Sequence, residues 1–167
     1  MPQGQAPPRR RLQPGDTALR YFLDTEYNGW GGALLSLALV AESGEELYLV
    51  LDHQGPLEAW VERNVVPYFD MVPEPLKSPR LPRAAAAEAL AFFLAGDPEP
   101  LIIADWPEDI AQLSMLLVTG PGMMVAAPSL RFQLIVLTGF STAANSAVPH
   151  NALHDARSLR DHLLALE

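Results

Sequence analysis

Residues 20–52 read RYFLDTEYNGWGGALLSLALVAESGEELYLVLD, and the spacing of apolar runs and turn residues in this stretch decides the fold class. Arg20 to Glu26 is a short aromatic and aliphatic run that ends in carboxylates, the pattern of a buried strand with a polar end. The turn signal Asn28-Gly29 follows, and Gly32 to Glu42 (GALLSLALVAE) is a second strand. Ser43-Gly44 is a hairpin turn into a third strand, Glu45 to Asp52. Three consecutive strands with short connections predict an antiparallel meander.

Downstream of the meander the pattern changes. Residues 56–64 and 84–95 have helical composition, the second starting after Pro82 and ending at Gly96. Five prolines between Pro67 and Pro82 predict an irregular loop. LIIAD, residues 101–105, is a short apolar strand ending in an acid, and Pro107 suits the first turn of a helix running through Asp109, Leu113 and Leu116. Phe132 to Leu137 is a further strand candidate. Asn151 to Leu166 reads as a helix with Leu153, Leu159, Leu163 and Leu166 on one side. Strands, then alternating helix and strand, predict an α/β domain: a three-strand antiparallel meander plus parallel strands in one mixed sheet flanked by helices.

Composition bounds the chemistry. The 167 residues contain no cysteine, which excludes disulfides, thiolate nucleophiles and Cys-based metal sites, so any metal must be held by oxygen or imidazole. Residues 1–16 hold Arg9, Arg10 and Arg11 among four prolines and read as a disordered basic tail, leaving 17–167 as a single domain. Setting aside that tail, with its three Arg and Asp16, leaves 8 basic and 19 acidic residues, a net charge of −11. Such a body lacks the broad basic surface of DNA-reading proteins, though a site can still hold a phosphodiester if metal ions neutralise it. The longest apolar stretch, Gly32 to Ala41, is half a membrane span, and the N-terminus has no apolar signal segment, so the expectation is a cytoplasmic protein without a membrane partner.

Asp24 and Glu26 lie two apart on a strand, and both carboxylates therefore project from one face. Near the C-terminus, Pro149-His150-Asn151-Ala152-Leu153-His154-Asp155-Ala156 places a histidine and an aspartate five residues apart around a helix start. Ala152 and Ala156 are small enough to let that helix pack closely on the sheet. Asp105 ends a strand, and Asp109 falls in the first turn of the next helix. Acids and one histidine at strand ends and helix starts suit a two-metal hydrolytic site.

FLDTE resembles the first motif of the DEDDh 3′–5′ exonucleases, and HNALHDA matches their third motif, H-x-A-x-x-D-A, at every fixed position. The middle motif is looser, and Asp109 fits it better than Asp105. The short chain, the DTEY start and the strand-ADWPED segment are most similar to the small bacterial 3′–5′ exoribonucleases. Tyr27 stands where many members carry Thr or Met, and Ile110 where a phenylalanine often follows the middle Asp.

The resemblance implies a ribonuclease H-like fold and two Mg2+ (or Mn2+) ions held by Asp24, Glu26, Asp109 and Asp155, with Asp24 bridging. It implies His150 as general base, a role that histidine's ordinary titration near neutrality suits. The implied reaction releases nucleoside 5′-monophosphates from the 3′ end of short or single-stranded RNA, and related members act as homodimers. A proofreading-type DNA exonuclease and an inactive ribonuclease H-like binding module are the competing expectations. Tyr27 and Trp30 follow the first motif closely enough to stack on a terminal base or to fill the core. His154 is expected at the surface, Trp106 in the core, and His53 and His162 have no evident partner.

Overall fold

The structure, a computed structural model, describes residues 18–167. The expected basic tail, residues 1–16, lies outside the described residues. β1 (Arg20–Tyr27), β2 (Leu34–Ala41) and β3 (Glu46–Leu51) pair antiparallel, with Leu23 opposite Leu39 and Leu37 opposite Leu49, as the meander pattern predicts. Gly44 turns the β2–β3 hairpin at φ 103°, a left-handed conformation that glycine enters without a Cβ clash. The second strand starts later than expected. Residues 28–32 close into turns, the Gly32 N–H donating to the Gly29 carbonyl at 2.9 Å.

The chain continues through α1 (Ala59–Asn64), β4 (Arg80–Leu81), α2 (Arg83–Leu94), β5 (Leu101–Ala104) and α3 (Pro107–Leu116). A small hairpin of β6 (Val118–Gly120) and β7 (Met123–Met124), then β8 (Arg131–Leu134), α4 (Thr142–Asn145) and α5 (Ala152–Leu164), complete it. Six strands form one mixed sheet in the order β4-β3-β2-β1-β5-β8, with β5 parallel to β1, β8 parallel to β5 and β4 parallel to β3.

Alternation along β1 and β2 sends side chains to two helical layers. Leu23, Leu37 and Leu39 pack with Leu90 and Leu94 of α2 and Leu113 and Leu116 of α3. Leu35, Ala38 and Val40 pack with Ala152, Leu153 and Ala156 of α5. Both alanines are fully buried, which is how α5 comes close to β1 and β2. All eight residues of β2 are buried because helices cover both of its faces.

Three expectations shift. The proline-rich segment contains two short 3-10 turns and ends in β4, whose Arg80 pairs beside Val50 of β3. The strand expected at 132–137 runs from Arg131 to Leu134, and all four residues are exposed because β8 is the outermost strand of the sheet. Leu166 falls beyond the end of α5 and is exposed, while Leu153 and Leu159 are buried. Among the described residues no helix is long and apolar enough to cross a membrane.

β1 lies where the sheet changes from antiparallel pairing, with β2, to parallel pairing, with β5. The carboxyl ends of β1 and β5 open together at that change, where α/β sheets characteristically leave a crevice.

Candidate functional site

The crevice is a cleft of about 590 Å³, within the ~300 to 1,000 Å³ range of small-molecule sites. Five carboxylates line it, from Asp24, Glu26, Asp105, Asp109 and Asp155, together with His150. They come from four places in the fold, Asp105 from the end of β5 and the others as follows. β1 delivers Asp24 and Glu26 on its α5-facing side, as period 2 requires. The register shifts between Glu26 and Tyr27, a bulge that ends regular pairing at the rim of the cleft.

α3 delivers Asp109 from the opposite layer of the sheet. Thr25 joins the two, its hydroxyl donating to Asp109 Oδ1 at 2.6 Å and its backbone N–H donating to the same oxygen at 3.2 Å. Thr25 is thus a positioning residue that the sequence reading passed over, because alternation places it on the face away from Asp24 and Glu26. The signal was available: a hydroxyl residue at a buried strand end, one layer from an acid in a first helical turn.

α5 delivers Asp155, and the loop before it delivers His150. His150 adopts φ 62°, the left-handed region that histidine enters more readily than most residues. In that conformation its N–H donates to Asp155 Oδ2 at 3.2 Å, and its ring meets Trp60 edge to face at 4.9 Å between centroids. The next residue, Asn151, is fully buried and caps α5, its side-chain oxygen accepting from the N–H groups of Leu153 and His154. Its amide donates to the Tyr68 carbonyl at 2.8 Å, which ties the helix start to the loop after α1. Asn151 therefore holds the backbone that carries His150, a role its place in the third motif did not disclose.

These acids sit in each other's fields with little to offset them. Asp24, Asp109 and Asp155 are buried, and among the described residues Asp24 Oδ2 and Asp155 Oδ1 have no hydrogen-bond partner. Burial, then Asp109, Glu26 and Asp155, push the Asp24 carboxyl well above the usual range. Burial followed by Asp155 and Asp109 raises Glu26 to about 8. Burial raises Asp109 to about 7 against the two Thr25 hydrogen bonds, and Asp155 to about 6 against donation from Ser146 and His150. Among the described residues no Lys or Arg lines the cleft. Partnerless buried carboxylate oxygens beside one another are suited to a cation. Glu26, His150 and Asp155 bring ligand atoms within 4.8 Å of one another, a group that could hold a metal ion. Asp24 and Asp109 share the cleft but lie outside that compact group.

The raised acids make stability depend on pH. Glu26 titrates at an ordinary 4.5 when unfolded and about 8 when folded, so between those values the native state holds protons that the unfolded chain has shed. Stability of the metal-free protein therefore falls as pH rises from about 4.5 to about 8, and a divalent cation held by these acids would restore it. Thermal unfolding in EDTA should show a lower Tm at pH 8 than at pH 5, and Glu26→Gln should shrink the difference. An equal drop in wild type and Glu26→Gln would contradict the assignment.

The remaining candidates separate. Trp30 is 97% exposed and does not line the cleft, which rules out the core alternative for it. Tyr27 is half-buried and lines the cleft. Trp106, expected in the core, is 58% exposed and lines the cleft, because β5 ends at Ala104 and Trp106 stands just before the first residue of α3 rather than continuing the strand. Asp105 lines the cleft as well, raised by burial and accepting from the Thr142 hydroxyl. His154 is half-buried and its Nε2 lies 2.8 Å from the Met71 carbonyl, so it links α5 to the loop after α1. His162 stacks on Phe140 at 3.8 Å, and His53 Nε2 lies 3.4 Å from the Pro56 carbonyl.

The sequence matches no protein-family model and no curated protein.

Proposed function

We propose that this protein is a metal-dependent 3′–5′ exoribonuclease with a ribonuclease H-like fold, acting on the 3′ end of short or single-stranded RNA. The observation that carries the proposal is the set of four buried or half-buried acids, Asp24, Glu26, Asp109 and Asp155, meeting His150 in one open cleft with two carboxylate oxygens unpartnered. Acids held at such proximity raise each other's pKa, and a purely structural role offers no return for that repulsion. The motif resemblance supplies the reaction class and the preference for RNA, and a homodimer is proposed on the same ground.

Asp24, Glu26, Asp109 and Asp155 would hold Mg2+ or Mn2+. When bound, such ions supply Lewis-acid activation of water and neutralise the charge of the phosphate and of the leaving oxygen. His150 accepts a proton from the attacking water. The water oxygen bonds to phosphorus, the bond from phosphorus to O3′ of the preceding nucleotide breaks with its electron pair going to O3′, and that oxygen takes a proton from solvent. The products are a nucleoside 5′-monophosphate and a strand one nucleotide shorter. Thr25 fixes Asp109 by two hydrogen bonds, and Asp155 fixes the His150 backbone by one. The open side of the cleft admits a strand end.

The test is a time course on 3′- and 5′-labelled RNA and DNA oligonucleotides with Mg2+, Mn2+ or EDTA. The 3′ label should leave at once as a nucleoside 5′-monophosphate, and the 5′-labelled strand should shorten in single-nucleotide steps, in metal only and faster for RNA. Cleavage in EDTA, or release from the 5′ end, would contradict the proposal. Faster cleavage of DNA would move the substrate to the proofreading class, and metal binding without cleavage would mark an inactive binding module.

A further inference from the structure

The cleft has two unlike halves. Its floor is carboxylate, and its lip is apolar and aromatic, formed by Trp106, Val136, Leu137 and Phe140. Val136 is 84% exposed, and among the described residues no ring stacks on Trp106, whereas Phe140 is already stacked on His162.

Trp106 is exposed but held in place. Pro107 restricts the residue before it to extended backbone, and Trp106 has φ −129° and ψ 132° at the start of α3. Tyr27 lines the same cleft beside it and sits in the field of the Glu108 carboxylate. Glu108 is fixed from the other side by the Gly31 N–H at 2.9 Å. A large flat side chain at the mouth of an acidic cleft, with its backbone held extended and more than half of its surface exposed, offers that surface to a ligand.

The chemistry of the floor says which ligand. Among the described residues no Lys or Arg lines the cleft, so none of them offers a nucleotide a direct cationic side-chain contact to its phosphate there. Contact with the flat face of a base is a source of grip that does not depend on charge. We infer that Trp106 is the platform on which a nucleobase flanking the scissile phosphodiester stacks, making it a substrate-positioning residue at the lip of the site. This rests on the exonuclease reading for the identity of the ligand, and it moves the stacking role from Trp30 to Trp106.

The experiment compares wild type, Trp106→Ala and Trp106→Phe on a diribonucleotide and on two versions of it, each abasic at one position. Trp106→Ala should lower kcat/KM on the full dinucleotide by about 5- to 150-fold, the worth of one stacked base, mainly through KM. Trp106→Phe should recover most of it. On one of the two abasic substrates, wild type and Trp106→Ala should be alike. A parallel arm needs no turnover: a non-hydrolysable phosphorothioate dinucleotide in Ca2+ should quench the tryptophan fluorescence of wild type but not of Trp106→Phe. Equal kinetics of wild type and Trp106→Ala on the full dinucleotide would overturn the inference and leave the exonuclease reading standing. Quenching that depends on Trp106 in a wild type that hydrolyses nothing would overturn the exonuclease reading and leave the base platform standing. Neither hydrolysis nor quenching would overturn both.

Discussion

Asp24→Asn should leave the chain folded and reduce hydrolysis to less than about a tenth of the wild-type rate at saturating Mg2+, the expected result being no detectable turnover. The carboxyl is buried beside Glu26, Asp109 and Asp155, and among the described residues one of its oxygens has no hydrogen-bond partner. The metal-free wild-type carboxyl must either take up a proton on folding or hold a charge among its acidic neighbours, and an amide of the same shape does neither. The metal-free variant should therefore melt at the same temperature as wild type or higher. Opposite movements of activity and stability are hard to produce by misfolding. A variant that keeps more than about a tenth of the activity, or that loses activity only by unfolding, would contradict the role given to Asp24.

His150→Ala should lower kcat by ~10² to 10⁴, the usual worth of one general base, with the protein still folded and still binding metal. The role requires the neutral ring, since only it accepts the proton of water. The nearness of His150 to Glu26 and Asp155 adds a second readout. If His150 acts as base alone, the metal affinity of the variant matches wild type, whereas a ligand role lowers it together with kcat. His154→Ala is a structural control: loss of its contact with the Met71 carbonyl should lower Tm modestly and leave kcat per folded molecule unchanged. A folded His150→Ala protein with normal kcat would remove the histidine from the mechanism.

The meander was legible because its signals are local. FLD, LLSLALVA and ELYLVL carry strand-length apolar runs with Asn-Gly and Ser-Gly between them, and strand pairing is set by the turns. The strand LIIA and the helix opening at Pro107 were legible for the same reason. β4, the β6–β7 hairpin and α4 were not, since two to four residues carry too little pattern to distinguish them from loop.

Within the cleft, spacing alone placed Asp24 and Glu26 side by side, and the small residues Ala152 and Ala156 foretold the close approach of α5. Side-chain direction beyond period 2 was out of reach. Thr25 turns away from its neighbours on β1 and meets Asp109 across the strand end, a contact 84 residues distant in sequence. The left-handed backbone of His150 depends on the Asn151 anchor to the Tyr68 carbonyl, also a non-local contact. Trp106 looked like core because it is large and apolar, but the strand ends two residues before it and Pro107 opens a helix directly after it.

The central claim is that the acidic cleft is a cation site, and calorimetric titration of Mn2+ into metal-free protein at pH 7 tests it most directly. Repeating the titration in two buffers of different ionisation enthalpy counts the protons displaced. With Glu26 raised to about 8 and Asp109 to about 7, the free site carries protons at pH 7 that a cation must expel. The predicted result is saturable binding of two ions per chain with release of protons into the buffer, and weakened or lost binding in Asp24→Asn. No saturable heat at millimolar Mn2+, or equal binding by wild type and Asp24→Asn, would contradict it.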